Sequence, residues 1–295
     1  MERGKSFMDC LIFGAKGYLG SRIFDYFNTC ENNVVIGTQT NPSKKDKNLK
    51  VIYNYRTLNN YQLKKLIQKF DIVIDATGIS GKNVYDEDTV EIIKSNTLWP
   101  ANLAKSCIET KTRLVWFSTY HCENFKISNE ESIGKGMYAL SKLLTESSII
   151  NQPKWDSFIS IARLGNIIGF PGSTYLDKSN LFAFEIIRNL VNNKKAIIKS
   201  DPSTQIGFVA ISNLLKSEIF TSTGFFKIYS KQKNSIYTIT KTIQKIYEKL
   251  SGEKSEIVFK KKVNETKLNV LQEDLEKEIE SMILYFLKEY CSSNI

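Results

Sequence analysis

Tyr138 and Lys142 are the residues around which this sequence can first be read as chemistry. They stand four apart in Met137-Tyr138-Ala139-Leu140-Ser141-Lys142-Leu143-Leu144-Thr145-Glu146, a stretch without Pro or Gly whose apolar residues recur at helical spacing. On a helix that spacing puts a phenol and an ammonium on one face, one turn apart. A cation beside a phenol favours the phenolate and draws its pKa down from about 10, which suits a tyrosine to give and take a proton. Solvated Tyr/Lys pairs have the same spacing. The chemical reading therefore needs a ligand site and a hydroxyl partner from the rest of the chain.

The elements that must position this pair begin near the N-terminus. Cys10-Leu11-Ile12-Phe13 is an apolar run leading straight into Gly14-Ala15-Lys16-Gly17-Tyr18-Leu19-Gly20, after which Ser21 to Phe27 has helical spacing. A buried strand, a glycine turn and a helix start aim backbone N–H groups at a pyrophosphate, with no side chain to block its approach. Val34-Val35-Ile36-Gly37-Thr38 reads as a second strand. Its end is where an NAD-preferring protein carries an acid for the ribose hydroxyls, and here that residue is Thr38. With Gln39, Thr40, Lys44 and Lys45 following, NADP is preferred over NAD. Residues 51–54 read as a third strand and 61–70 as an amphipathic helix.

Asp71-Ile72-Val73-Ile74-Asp75-Ala76-Thr77-Gly78 is then a buried parallel strand ending in small residues, which leave room for a ligand at the carboxyl edge where open α/β sheets bind theirs. Arg113-Leu114-Val115-Trp116-Phe117-Ser118-Thr119 repeats the pattern and brings the Thr119 hydroxyl to the same edge.

These motifs, in this order and followed by Ile161-Ala162-Arg163-Leu164-Gly165-Asn166-Ile167-Ile168-Gly169, resemble the extended short-chain dehydrogenase/reductase superfamily, and within it the NAD(P)-dependent sugar epimerase/dehydratase group. Ser95-Asn96-Thr97-Leu98-Trp99-Pro100-Ala101-Asn102-Leu103-Ala104-Lys105 looks particularly like the dTDP-4-dehydrorhamnose reductase type. The resemblance spans roughly residues 8 to 250. It implies an α/β fold: a Rossmann-like doubly wound parallel sheet over residues 1–165, with a smaller C-terminal substrate-binding lobe over 166–295 interleaved with the last sheet strands. It implies that Gly14, Gly17 and Gly20 hold the cofactor pyrophosphate, with Lys16, Tyr18, Leu19 and Thr38 also at the cofactor. Ala76, Thr77 and Gly78 would line its adenosine side, and Asn96, Ser118 and Leu164 would complete the cofactor contacts. Thr119 would bond the reacting substrate oxygen, Tyr138 would move its proton, and Lys142 would hold the nicotinamide ribose. His121, Asn166 and Gln205 are the candidate substrate contacts.

In the second half, residues 180–190 read as a helix, 196–199 and 205–213 as strands, 224–229 as a late strand, 236–250 as a helix and 271–290 as an amphipathic helix. Three positions depart from the family pattern. Ile206 and Gly207 stand where many sugar-nucleotide members carry an arginine and an acid, with Asn213 in place of the usual Asp. Trp99 fills a place that is usually glycine. Only 19 positions separate Thr119 from Tyr138, implying a trimmed loop beside the site.

Composition narrows the alternatives. The 295 residues are 42% hydrophobic and 12% aromatic, enough for a sizeable core. Five scattered cysteines without a Cys-x-x-Cys spacing, and one histidine, suggest neither a disulfide framework nor a metal site. The formal charge of +10 is spread in short runs without interleaved aromatics, so no nucleic-acid partner is expected; it suits a small phosphorylated ligand. There is no signal-type apolar region and no stretch near the ~18 uncharged apolar residues of a membrane span, so a cytoplasmic protein without a membrane partner is expected, a homodimer being left open.

The first functional expectation is an NAD(P)H-dependent reductase of a 4-keto-deoxysugar nucleotide in deoxysugar or surface-polysaccharide synthesis. An NAD-dependent nucleotide-sugar epimerase is the second. A catalytically silent cofactor-binding structural or regulatory protein is the third. Tyr120-His121 after Thr119, where dehydratases carry an Asp-Glu pair, argues against a dehydratase.

Overall fold

The computed structural model describes residues 8–29, 33–38, 49–80, 88–123, 125, 133–173, 181–230, 232–264 and 271–293. Among the described residues thirteen strands run in chain order: β1 Asp9–Phe13, β2 Asn33–Thr38, β3 Lys50–Tyr53, β4 Ile72–Asp75, β5 Arg113–Thr119, β6 Ile159–Leu164, β7 Asn166–Ile168, β8 Lys195–Ile198, β9 Gln205–Ile206, β10 Phe208–Ala210, β11 Gly224–Ile228, β12 Asn234–Ser235 and β13 Glu256–Phe259. The chain divides into two compact units, one of Met1–Arg163, Pro171–Lys178 and Ser217–Lys227, the other of Leu164–Phe170, Ser179–Lys216 and Ile228–Ile295.

The first unit holds a seven-stranded sheet in the order β11-β6-β5-β4-β1-β2-β3. The pairings of β1 with β2 and β4, of β2 with β3 and of β4 with β5 are all parallel. The 3-2-1-4-5-6 succession is that of a doubly wound Rossmann-like α/β sheet, here extended by β11 outside β6. The central strands are apolar along their whole length because helices cover both faces of such a sheet: Cys10 to Phe13 and Ile72 to Ile74 are completely buried. Leu11, Phe13, Val73, Leu114 and Trp116 from the strands pack with Leu63, Ile67, Leu103, Cys107 and Ile149 from helices into one core.

Local sequence sets the helices. Tyr18–Asn28 starts at the glycine turn, and Asn60–Ile67 starts with a capping box in which Asn59 and Gln62 each accept the other's backbone N–H. Trp99–Thr110 carries Pro100 in its first turn, where no backbone donor is needed. The helix bearing Tyr138 runs from Ile133 to Ile150, longer than the stretch legible from its apolar spacing.

The second unit has three two-stranded sheets, β7 with β10, β9 with β12 and β8 with β13, and the helices Phe182–Asn193, Ile236–Ser251 and Glu273–Ser293. One sequence expectation is corrected here. Residues 205–213 are not one strand: the run breaks at Gly207 between β9 and β10, and Ile211–Leu215 is helical. Gly207 lies against Gly165, whose added Cβ would come within 2.7 Å of the Gly207 carbonyl, while that carbonyl accepts the Asn166 N–H at 2.9 Å. Residues 161–169 likewise split at Gly165, with β6 ending at Leu164 and β7 starting at Asn166. Among the described residues no helix is long and apolar enough to cross a membrane.

Candidate active site

The glycine turn follows β1 directly. Gly14 has φ +79°, a region that favours glycine, and a Cβ there would come within 2.8 Å of the Ala76 carbonyl group. Gly20 sits so close that an added Cβ would be 2.2 Å from the Gly14 carbonyl oxygen. Gly17 is the N-cap of helix Tyr18–Asn28, with no side-chain cap, and its N–H donates to Gly14 O at 2.9 Å. All three glycines thus let the helix N-terminus pack down on the strand end, and the cradle that side chains would fill fits the phosphates of a dinucleotide. Lys16, Tyr18 and Leu19 lie on this turn and at the start of the helix. Thr38 is buried at the end of β2, its carbonyl accepting the Asn54 N–H at 2.8 Å. Gln39, Thr40, Lys44 and Lys45, on which the NADP preference leans, lie outside the described residues.

Beside the turn, β4 ends in Asp75, and Ala76-Thr77-Gly78 continues along the carboxyl edge. Gly78 has φ +137°, and a Cβ there would lie 2.9 Å from Asn96 Oδ1 and 3.4 Å from Lys142 Nζ. Asn96 is fully buried in a π-turn, Lys94–Leu98, between two α-helical segments. Its Oδ1 accepts from Ile79 N–H at 2.7 Å, and its Nδ2 donates to Ile79 O at 3.0 Å and Ser141 Oγ at 3.2 Å. Asn96 therefore fixes the loop after β4 to the Tyr138 helix. The π-turn is fastened on the same side, with Thr145 Oγ1 donating to Asn96 O at 2.6 Å and Thr97 Oγ1 to Ser141 O at 3.0 Å. Such turns recur at functional sites because they displace a backbone segment without ending the helix.

Thr119, Tyr138 and Lys142 come together at this edge. Thr119 closes β5 and is 5% exposed; its hydroxyl accepts the His121 N–H at 3.4 Å, and it lies near enough to the Tyr138 phenol to favour the phenolate. Lys142 is buried, donates to Phe117 O at 2.9 Å and holds its ammonium 4.8 Å from the centre of the Trp116 ring. Burial pushes the Tyr138 phenol up to about 12, reinforced by Cys122 and opposed by Thr119. The expectation that Lys142 draws the phenol down is thus corrected: the phenol is raised, burial is the largest cause, and Lys142 is not among the groups that act on it. Burial in turn lowers Lys142 to about 8, opposed by the negative field of Asp75 and by Cys122 and Glu146.

The other expected site residues are distributed as follows. The Ser118 hydroxyl donates to Glu146 Oε1. Leu164 is buried at the end of β6. His121 lies in the one-turn segment Tyr120–Cys122 and stacks on Tyr120, ring centres 4.1 Å apart. Asn166, at the start of β7, and Gln205, in β9, belong to the second unit. Trp99 is a core aromatic, packed on Phe13 at 5.2 Å and Tyr55 at 4.6 Å between ring centres.

Two buried polar groups escape a reading by sequence. Glu146 is 2% exposed and is gripped by Arg163 through both oxygens, at 2.9 and 2.5 Å. It follows Tyr138 and Lys142 at the same four-residue step, a visible signal. Asp75, an acid in an otherwise apolar strand, is the other. Among the described residues no cluster of His, Cys, Asp and Glu could hold a metal ion.

The sequence matches the model of the NAD dependent epimerase/dehydratase family over residues 10–216. No curated protein matches it. Several solved structures share its fold. MoeE5 in complex with UDP-glucose and NAD is 15% identical, with 97% of this chain and 99% of that one covered and a TM-score of 0.67. UDP-N-acetylglucosamine 4-epimerase from Methanobrevibacter ruminantium M1, in complex with UDP-N-acetylmuramic acid, is 14% identical over 96% of this chain and 99% of that one, TM-score 0.71. ADP-L-glycero-D-manno-heptose-6-epimerase from Helicobacter pylori is 16% identical over 99% of both chains, TM-score 0.68. These likenesses carry the wider group and not the narrower dTDP-4-dehydrorhamnose reductase type expected from residues 95–105. With a family match across most of its length, a Rossmann-like sheet and a glycine cradle at its edge, the chain belongs to the NAD dependent epimerase/dehydratase family.

Proposed function

We propose that the protein is an NAD-dependent epimerase of a nucleotide sugar. The observation that carries the reading is that Thr119 at the end of β5, Tyr138 and the buried Lys142 are brought to the edge where the glycine turn opens, with Thr119 acting on the Tyr138 phenol. Inverting a carbinol carbon by oxidation and re-reduction needs one group that takes a proton from an oxygen and returns it to the same oxygen. Tyr138 can do both, with Thr119 holding the oxygen. A dehydratase needs a second acid for the leaving hydroxyl, but Tyr120 and His121 follow Thr119, and Glu123 is tied to Lys227 at 2.6 Å.

When bound, NAD supplies reversible hydride acceptance. Gly14, Gly17 and Gly20 would hold its pyrophosphate, Ala76 to Gly78 its adenosine side and Lys142 its ribose. A phenol near 12 is an acid at neutral pH, so Tyr138 becomes a base only when further positive charge or substrate hydrogen bonding favours the phenolate. NAD takes precedence over the NADP that Thr38 suggests, because MoeE5 is described with NAD and the basic loop after Thr38 lies outside the described residues. The same residues would serve a 4-keto-sugar reductase, the lesser-supported reading. Substrate contacts by His121, Asn166 and Gln205 belong to the same proposal.

The test is to denature purified protein and assay released nicotinamide, then incubate native protein with UDP-hexoses and UDP-N-acetylhexosamines without added cofactor and separate the epimers. Released NAD and interconversion of one pair are expected. Consumption of NADPH with a 4-keto sugar nucleotide, and no interconversion, would replace this reading with the reductase. Tight NAD binding with neither activity would leave a silent cofactor-binding protein.

A further inference from the structure

The strand end that carries Thr119 is hydrogen-bonded to the Tyr138 helix along two of its turns. Cys122 Sγ donates to Ala139 O at 3.5 Å, Lys142 Nζ donates to Phe117 O at 2.9 Å, and the Ser118 hydroxyl donates to Glu146 Oε1. Thr119 directly follows Ser118, and Tyr138 directly precedes Ala139, so both lie inside this lacing. The ties are unequal. A thiol is a weak donor, and Lys142 is the group expected to serve the cofactor ribose. Glu146 is itself gripped, since Arg163 of β6 donates to its two oxygens at 2.9 and 2.5 Å. The same guanidinium stands 3.9 Å from Glu123, the residue after Cys122, and Glu123 is paired with Lys227 at 2.6 Å. Arg163 therefore braces both ends of the segment 118–123 that contains Thr119.

Net stability does not explain an ion pair at this place. Ser118 and Glu146 are 3% and 2% exposed, and apolar side chains of the same volume hold a buried site together as well as paired charges do. Such side chains would leave the Ser118 hydroxyl facing the Cys122 sulfur at 3.7 Å, a weak acceptor. Nor would they fix direction, because dispersion contacts tolerate sliding and hydrogen bonds are angular. A carboxylate accepts from Ser118 and from two Arg163 nitrogens at once; an amide at 146 would turn one of its two atoms into a donor against Arg163. Direction matters at this edge, since a displacement of about 1 Å between reacting groups can cost about 10²-fold in rate. We propose that Glu146 is a positioning residue for the reaction: by holding Ser118 it fixes Thr119, at the end of β5, against Tyr138 on its own helix. The inference rests on the reading of Thr119 and Tyr138 as the groups that handle the substrate oxygen.

The test separates holding the fold from holding the geometry. Glu146→Met combined with Arg163→Met replaces the pair by apolar side chains, and Ser118→Ala removes one bond while leaving the pair intact. Turnover of the UDP-hexose or UDP-N-acetylhexosamine pair that wild type interconverts is measured beside NAD affinity by calorimetry and stability in urea. Both variants are expected to fold, to bind NAD as wild type does and to lose about 10- to 100-fold in kcat. Adding Ser118→Ala to the paired methionines is expected to cost nothing further, because both changes break the same tie. Wild-type kcat in either variant overturns the proposal, and so does a parallel fall in NAD affinity with Ser118→Ala, which would make Ser118 a cofactor contact. Should the paired methionine variant fail to fold, Ser118→Ala decides alone. If wild type interconverts no sugar, the functional reading falls, and methyl NMR of protein labelled with 13C at the threonine methyls still decides the role of Glu146. The Thr119 signal, identified by its absence in Thr119→Ser, is expected to be single and sharp in wild type and exchange-broadened or doubled in the paired methionine variant or, failing that, in Ser118→Ala. A signal as sharp as that of wild type overturns the proposal.

Discussion

Two buried charges stand one turn apart on the helix Ile133–Ile150, and the protein treats them in opposite ways. Glu146 is satisfied on every side: Arg163 grips both oxygens, Ser118 donates to one, and Arg163 is itself flanked by Glu123 and by the Phe225 ring 5.0 Å away. Lys142 has one acceptor, the Phe117 carbonyl. A closed network fixes where β5, β6 and the helix meet. An open one leaves donors and charge for something that arrives later. The contrast separates a closed ion pair from a buried lysine held by a single carbonyl on the same helix, where the spacing alone makes them equivalent.

The largest expected effect falls on the chemical side. Tyr138→Phe should cut turnover by roughly 10²–10⁴-fold while leaving NAD affinity nearly intact; steady-state kinetics beside calorimetry read both, and wild-type turnover would remove Tyr138 from the mechanism. On the structural side, Arg163→Met leaves Glu146 buried and unpaired and should cost about 3–5 kcal/mol in a denaturant titration. A loss below about 1 kcal/mol would mean that the network is not what holds the strand ends.

Gly20→Ala drives a methyl onto the Gly14 carbonyl and should lower stability by about 1–3 kcal/mol, with weaker NAD binding alongside. Unchanged NAD affinity would place the cofactor away from this turn.

Lys142 sharpens the comparison through pH. Its folded pKa, about 8, lies below its ordinary 10.5, so folding disfavours the ammonium. That penalty is fully present below about 8 and is relieved as pH rises from there toward 10.5, so this group makes the protein relatively more stable across that window. Lys142→Met should abolish the rise and equal or exceed wild-type stability at neutral pH; a large loss instead would make Lys142 structural like Arg163. The smallest effect is expected for His121→Ala, within about 0.5 kcal/mol in stability because the ring is exposed and stacks on Tyr120.

Much of the arrangement is legible in the amino-acid sequence. Continuous apolar runs become the buried parallel strands, and glycines three apart become the turn, because burial on both faces and close backbone approach each admit few residue types. The strand at residues 113–119 falls where its apolar pattern puts it. The run at 205–213 does not hold as one strand, since its apolar spacing is silent about Gly207 and about the helix that starts at Ile211. Ser118 and Asn96 stand in motifs that suggest cofactor contacts, while their protein partners, Glu146 and Ile79, come from segments that motif membership does not name. The acid at 75 is visible in its strand, but that one of its oxygens is buried without a hydrogen-bond partner is decided by the packing around it.

By itself the sequence determined the local choices: which stretches lie inside a sheet and where the backbone must turn on glycine. Those follow from hydrophobic period and backbone sterics, which act over a few residues. The tertiary structure alone decided the electrostatics, because a pKa depends on the solvent and charge around a group. Burial therefore lifted the Tyr138 phenol and lowered Lys142, against what their spacing on one helix suggests.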